Sequence, residues 1–225
     1  MKIKEIFQDL ITNPLKFWIG HIIFFALFSI VLLIGQYYFL PLYESNSNIL
    51  QYFVFKIDSI SISSMYLSNF VNKNWDYFQT NIAIMWIGLV LIFLTEQRKD
   101  IFNKNIVFIF FIAPFIISLI NIPILMFLSI NGALGFSGIA TIILGYGFYS
   151  IMKLFCNCLK EIPNLPNFFK IVLYSLFIVI FVGLIYFMTL DQTGTNIYIH
   201  IFGYFFGFFI GLLSHYENSG FRGYF

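Results

Sequence analysis

Apolar residues in this chain do not recur with the spacing of a surface helix or a half-buried strand. They run unbroken for about 20 residues at a time, the length a helix needs to cross about 30 Å of hydrocarbon. Six such runs predict six spans: Phe17 to Leu40, Tyr77 to Thr95, Ile106 to near Leu128, Ser137 to Phe155, Phe169 to Thr189 and Ile197 to Leu213. The expected fold class is therefore an all-α membrane protein, a bundle of six transmembrane helices over residues 17–214. A segment 1–16 precedes it, in which Ile3, Ile6, Phe7, Leu10 and Ile11 share one helical face, the pattern of a helix lying in the membrane interface. Residues 215–225 form a tail.

The stretch Ile49 to Val71 is apolar in patches but contains Lys56, Asp58 and a run of serines. A span there would bury both charges, so it reads as a long loop partly submerged at the interface. The Ser/Ile alternation from Ser59 to Ser63 resembles a strand, but an open strand edge is not tolerated in lipid.

Charge sets the orientation. Six spans leave both termini on one side, together with Lys2, Lys4, Lys16, Arg98, Lys99, Lys104, Lys153, Lys160, Lys170 and Arg222. Only Lys56 and Lys73 fall opposite, so the termini are expected in the cytoplasm and the even-numbered spans begin at the outer face. The expected location is a prokaryotic plasma membrane. Composition agrees: 60% hydrophobic residues, 10% charged and a mean hydropathy of +0.89 exclude an ordinary soluble domain. A net charge of +2 without a basic stripe implies no nucleic-acid partner. Cys156 and Cys158, without a companion Cys/His pair, suggest neither a bridge nor a metal site, and no cofactor is expected. His21, near the cytoplasmic end of the first span, reads as an interfacial residue.

Polar side chains inside spans are costly, and three lie at similar depth near the outer ends of the second, fourth and sixth spans: Asn81, Ser137 and His200. Ser137 stands in Gly135-Phe136-Ser137-Gly138, where a Gly-containing loop turns into a helix. Glycines let the backbone approach a reacting carbonyl, and the helix start offers unpaired N–H groups to an oxyanion. Serine there can be a nucleophile, or simply an N-cap. His200 precedes Gly203, Gly207 and Gly211, a small-residue stripe suited to close helix packing that presents the histidine to whatever helix packs there. It can serve as general base to Ser137, or as a hydrogen-bonded bundle residue. The Asn81 amide can face an oxyanion, or bond to another helix.

The order Asn81, Ser137, His200, with Gly135-Phe136-Ser137-Gly138, Gly145-Tyr146 and His200-Ile201-Phe202-Gly203, resembles the rhomboid family of intramembrane serine proteases. The resemblance covers the six-span layout, effectively the whole domain. It implies a Ser-His dyad, with Ser137 as nucleophile and His200 as general base and acid. The oxyanion hole would come from Asn81 and the Ser137 N–H. Tyr77 stands where the family usually carries a histidine and is a candidate further donor; Thr141 stands where an aromatic often stacks on the histidine. Gly135, Gly138, Gly145, Gly203, Gly207 and Gly211 would serve helix packing. Substrates would be transmembrane proteins, entering laterally from the lipid bilayer past the fifth span, under a mobile cap formed by the loop Asp191 to Asn196. An inactive client-binding relative and a small transporter are the alternative function classes.

Overall fold

The computed structural model describes residues 14–45, 48–96, 98–161 and 197–216, with isolated positions between 166 and 183. The interfacial segment before residue 14, the predicted fifth span, the cap loop and the tail beyond Tyr216 lie outside, or almost wholly outside, the described residues.

Seven helices are described. These are α1 (Pro14–Glu44), α2 (Ile62–Leu67), α3 (Trp75–Thr95), α4 (Lys99–Phe111), α5 (Ala113–Leu128), α6 (Ser137–Glu161) and α7 (Ile197–Tyr216). Among them α1, α3, α6 and α7 are each long and apolar enough to cross a membrane, and α4 with α5 qualifies as one bent span. The chain is thus an all-α protein of membrane type. The first, second and sixth predicted spans appear within a few residues of the expected limits, and the fourth starts where expected but continues past Phe155 to Glu161; α7 enters the predicted tail, ending at Tyr216.

The third span is the principal difference. A single helix from Ile106 is replaced by two, meeting at Ile112 with a bend of 46°. Pro114, near the start of α5, has no N–H with which to pair the Phe110 carbonyl one turn back, and its ring disfavours a straight helix. The released Phe110 carbonyl accepts a hydrogen bond from the Tyr66 hydroxyl at 3.1 Å, and the Pro114 carbonyl accepts one from Asn69 Nδ2 at 3.2 Å. The loop after α1 therefore docks on the bend and satisfies it.

Helix α6 is the centre of the bundle, packed most extensively against α7 on one side and α3 on the other. Glycines bring the backbones together. A Cβ at Gly147 would stand 2.5 Å from the Gly88 carbonyl oxygen of α3, and one at Gly88 would stand 2.7 Å from the Leu144 nitrogen. On the α7 side a Cβ at Gly145 would overlap the Tyr204 carbonyl, and one at Gly207 the Ile142 carbonyl. In lipid, where burial of apolar groups from water gives helices no reason to associate, this close van der Waals contact is what joins them. The outward faces of α1, with Ile19, Phe24, Leu27 and Val31 exposed, suit contact with acyl chains.

The long first loop is structured. It carries a short 3₁₀ turn at Asn48–Tyr52 and a two-residue strand β1 (Phe55–Lys56) antiparallel to β2 (Gly132–Ala133), with Phe55 opposite Ala133. A second 3₁₀ turn, Ile57–Ser59, leads into α2. The serines that alternate like a strand instead make a cap: Ser61 Oγ accepts the Ser64 N–H at 3.1 Å, and Ser64 Oγ returns the favour to the Ser61 N–H at 3.3 Å. Lys56 and Lys73 lie at this loop-bearing end, whereas Arg98 and Lys153 surround Glu96 at the other.

Candidate active site

The loop-bearing end holds a cavity of about 460 Å³ between the start of α3, the end of α5 and the start of α6. Ser137, Asn81 and Tyr77 all line it. Two helices, α3 with Tyr77 and Asn81 and α6 with Ser137, therefore deliver predicted site residues to one space.

Ser137 is the first residue of α6. The Phe136 carbonyl accepts the Ala140 N–H at 3.1 Å, so Phe136 holds the capping position and Ser137 lies inside the first turn. The N-cap explanation for this serine falls away, and its own N–H is one of the helix-start donors without an intrahelical partner. Its hydroxyl has no hydrogen-bond partner among the described residues. Gly135 is not a helix-packing glycine as expected but a loop residue at φ +154°, a conformation that a residue with a Cβ rarely adopts. Its N–H donates to the Ser68 carbonyl at 2.8 Å, and a Cβ there would stand 3.4 Å from Ser137 Oγ and 3.6 Å from Asn72 Oδ1. The missing side chain keeps the floor of the cavity open between Ser137 and Asn72.

Asn81 is buried, and its Nδ2 donates to Asn72 Oδ1 at 3.0 Å. Asn72 and its support were not singled out from the sequence. The fully buried Gln36 of α1 grips the Asn72 backbone at both ends, accepting its N–H at 2.8 Å and donating to its carbonyl at 2.7 Å. The available signal was Gln36 itself, an uncharged polar residue inside a predicted span that has to find partners there. Tyr77 is half-buried at the rim, with Lys73 Nζ 5.0 Å above its ring.

His200 is 5% exposed on α7, one turn before Gly203. The helix contact that brings it toward α6 is close: a Cβ at Gly203 would overlap Thr141 Oγ1 and stand 2.9 Å from the Gly138 carbonyl, and one at Gly138 would meet Ile199 at 3.3 Å. Ile199 lines the cavity and His200 does not. His200 and Ser137 share no hydrogen bond. Thr141, whose hydroxyl donates to the Ser137 carbonyl at 2.8 Å and the Gly138 carbonyl at 3.0 Å, fills the helix contact beside them.

Among the described residues no cluster of three or more His, Cys, Asp or Glu side chains could hold a metal ion. Cys156 and Cys158 are free thiols on α6, away from the cavity. His21 packs at the other end, its Nε2 2.8 Å from Asn103 Oδ1 and its ring 5.0 Å from that of Trp18. The cavity itself combines a free hydroxyl, a helix-start N–H and a pair of carboxamides, a donor set suited to acyl transfer. No protein family, curated protein or solved structure matches the chain.

Proposed function

We propose that this chain is an intramembrane serine protease of the rhomboid type, which hydrolyses peptide bonds in or near the transmembrane segments of other membrane proteins. The observation that carries the reading is the free hydroxyl of Ser137 on the first turn of α6, open to a cavity shared with the Asn81–Asn72 amide pair. Ser137 Oγ attacks the scissile carbonyl carbon while His200 takes its proton. The C–N bond then breaks, His200 returns the proton to the leaving amine, and an acyl-enzyme remains. Water enters from the loop-bearing end, gives a proton to His200 and attacks the acyl carbon; the ester C–O bond breaks and His200 returns the proton to Ser137 Oγ, releasing the acid product. The Ser137 N–H and a side-chain amide stabilise the oxyanion in both steps. Catalytic hydrogen bonds are often long before substrate binds, so a separated Ser137 and His200 is compatible with this sequence of steps. In this reading the loop-bearing end faces outward and Glu96 lies at the cytoplasmic end.

The same separation favours a second reading, an inactive relative that binds membrane clients in this cavity. Purified protein in liposomes with a fluorogenic transmembrane substrate decides between them. Cleavage by the wild type, reduced by about 10⁴-fold or more in Ser137→Ala and His200→Ala, supports the protease. Cleavage that persists in Ser137→Ala removes the mechanism, and substrate binding without cleavage establishes the client binder.

A further inference from the structure

A second cavity, of about 500 Å³, lies on the flank of the bundle between the beginnings of α1 and α4, near the Glu96 end. Buried Phe25 and Phe102 form its floor, while Ile19, Phe24 and Val107 are exposed along its walls. Gly20 widens it: a Cβ there would meet nothing within 4 Å, unlike the glycines that join α6 to its neighbours. An apolar groove on the flank of a membrane bundle is filled by an acyl chain or by another helix. Its polar residues decide which. Lys99 and Asn103, one turn apart on α4, line it together with His21 of α1. His21 Nε2 lies 2.8 Å from Asn103 Oδ1, which leaves the Asn103 N–H₂ as a donor on the same helix face as Lys99. Among the described residues no carboxylate lines the groove, and Asp100, next to Lys99 in sequence, is paired with Arg98 at 2.6 Å. Phe24, Ile106 and Val107 carry the groove deeper. From Lys99 to Val107 it runs about 12 Å at about 1.5 Å per residue, most of the roughly 15 Å that one leaflet of hydrocarbon spans.

We propose that this groove is a binding site for one anionic phospholipid: its phosphodiester meets the Lys99 ammonium and the Asn103 N–H₂, and one acyl chain lies over Gly20 between Phe24 and Val107. Charge complementarity selects this occupant. An apolar helix laid in the groove would hold the Lys99 charge against hydrocarbon, which is costly. An anionic lipid instead presents a negative headgroup and an apolar chain in the order in which the groove offers a cation and apolar walls. Lys99 is half-buried with its Nζ 6.0 Å from the centre of the Trp18 ring, so the ammonium is held at the groove by its packing. The site is separate from the Ser137 cavity and does not depend on the protease reading.

Native mass spectrometry of the detergent-purified protein, titrated with dioleoylphosphatidylglycerol or dioleoylphosphatidylcholine, reads the site. The two lipids share their chains and differ in headgroup charge. The first phosphatidylglycerol is expected to bind at least about fivefold more tightly, the factor one lysine supplies beside an anionic lipid. Lys99→Gln should abolish this preference. Gly20→Leu, whose side chain enters open space and keeps the charge, should weaken the first phosphatidylglycerol by at least as much. Glycerol phosphate, which has the charge without the chains, should not compete. Thermal unfolding gives a second readout: phosphatidylglycerol should raise the wild-type midpoint more than that of either variant, whatever their lipid-free midpoints are. Equal affinity of the wild type for the two lipids, an undiminished preference in Lys99→Gln or Gly20→Leu, competition by glycerol phosphate, or a second copy of the chain that excludes phosphatidylglycerol each overturns the proposal.

Discussion

The two ends of this bundle bury polar groups in different ways. At the loop-bearing end they are neutral amides and a hydroxyl beside a cavity, the amides held from behind by Gln36 and by each other. At the opposite end they include a carboxylate and a histidine ring directed at one another. There Glu96 closes α3 and His215 belongs to the last turn of α7, with His215 Nε2 3.1 Å from Glu96 Oε2, an ion-pair distance without hydrogen-bond alignment. The other carboxylate oxygen, Oε1, accepts the Arg98 N–H at 3.0 Å, and Ser214 Oγ donates to Asn105 Oδ1 of α4 at 2.7 Å. One end is built to accept a guest, and the other to tie α3, α4 and α7 together. Chemistry and pH-dependent stability are therefore expected to reside at opposite ends.

The strongest way to break this separation is to attack what both ends share, the α6–α7 contact. Gly207 has no room for a Cβ, which would overlap the Ile142 carbonyl, and neither backbone can retreat without moving a whole helix. Gly207→Val should cost at least about 3 kcal/mol, the upper part of the range for overpacking, and remove turnover together with the fold. Gly35→Val is the control, because nothing lies within 4 Å of a Cβ there. Thermal unfolding of the purified proteins in detergent measures both. If Gly207→Val unfolds at the wild-type midpoint, α6 and α7 are not packed as described.

A smaller perturbation touches the cavity end alone. Gln36→Leu leaves the Asn72 N–H and carbonyl without their buried partners, each of which costs about 1–3 kcal/mol when unsatisfied. A loss of about 2–3 kcal/mol is expected, with turnover falling further than the midpoint alone accounts for, because the amide over the cavity is loosened. Measured against pH, the stability loss should be flat between pH 4 and 8, since no titrating group takes part. A pH-dependent loss would mean that the two ends are coupled.

The sequence was most informative where one physical rule acts without competition. Hydropathy alone located α1, α3, α6 and α7, since a chain in lipid has few alternatives to a helix of spanning length. It failed at α4 and α5 because the run of apolar residues continues through the bend; the local cue was Pro114, and the partner that stabilises the break, Tyr66, is 44 residues away from the carbonyl it satisfies. The candidate site was legible to the same degree. Ser137, Asn81 and Tyr77 were named from local pattern and do line one cavity. Asn72 was not, because its significance arises from a clamp across 36 residues by Gln36 and from the absence of a side chain at Gly135. Of the glycines told by spacing, Gly203, Gly207 and Gly211 all stand in close contact with α6, whereas Gly135, named from the motif, is required by its backbone conformation rather than by packing.

The smallest effect is the one that assigns the pH response. Burial alone would raise the Glu96 carboxyl, but the His215 ring 3.1 Å away, the Arg98 N–H and the charge of Lys153 outweigh it and hold the group below the usual carboxylate range. A carboxylate lowered on folding contributes stability that is fully present above its unfolded value, about 4.3, and is lost as pH falls through the lower folded value. Glu96→Gln removes that contribution, and at pH 7 it should cost about 1.5 kcal/mol, the lower end of the range for a hydrogen-bonded charged group. As the pH is lowered below about 4, wild type should approach the variant, because the carboxylate it alone possesses becomes protonated. The unfolding midpoints of the two proteins, compared from pH 7 down to pH 3, should therefore converge, while cleavage corrected for folded fraction stays the same in both. Parallel midpoints across that range would show that Glu96 does not carry the response, and a turnover defect in folded Glu96→Gln would show that the far end reaches the cavity after all.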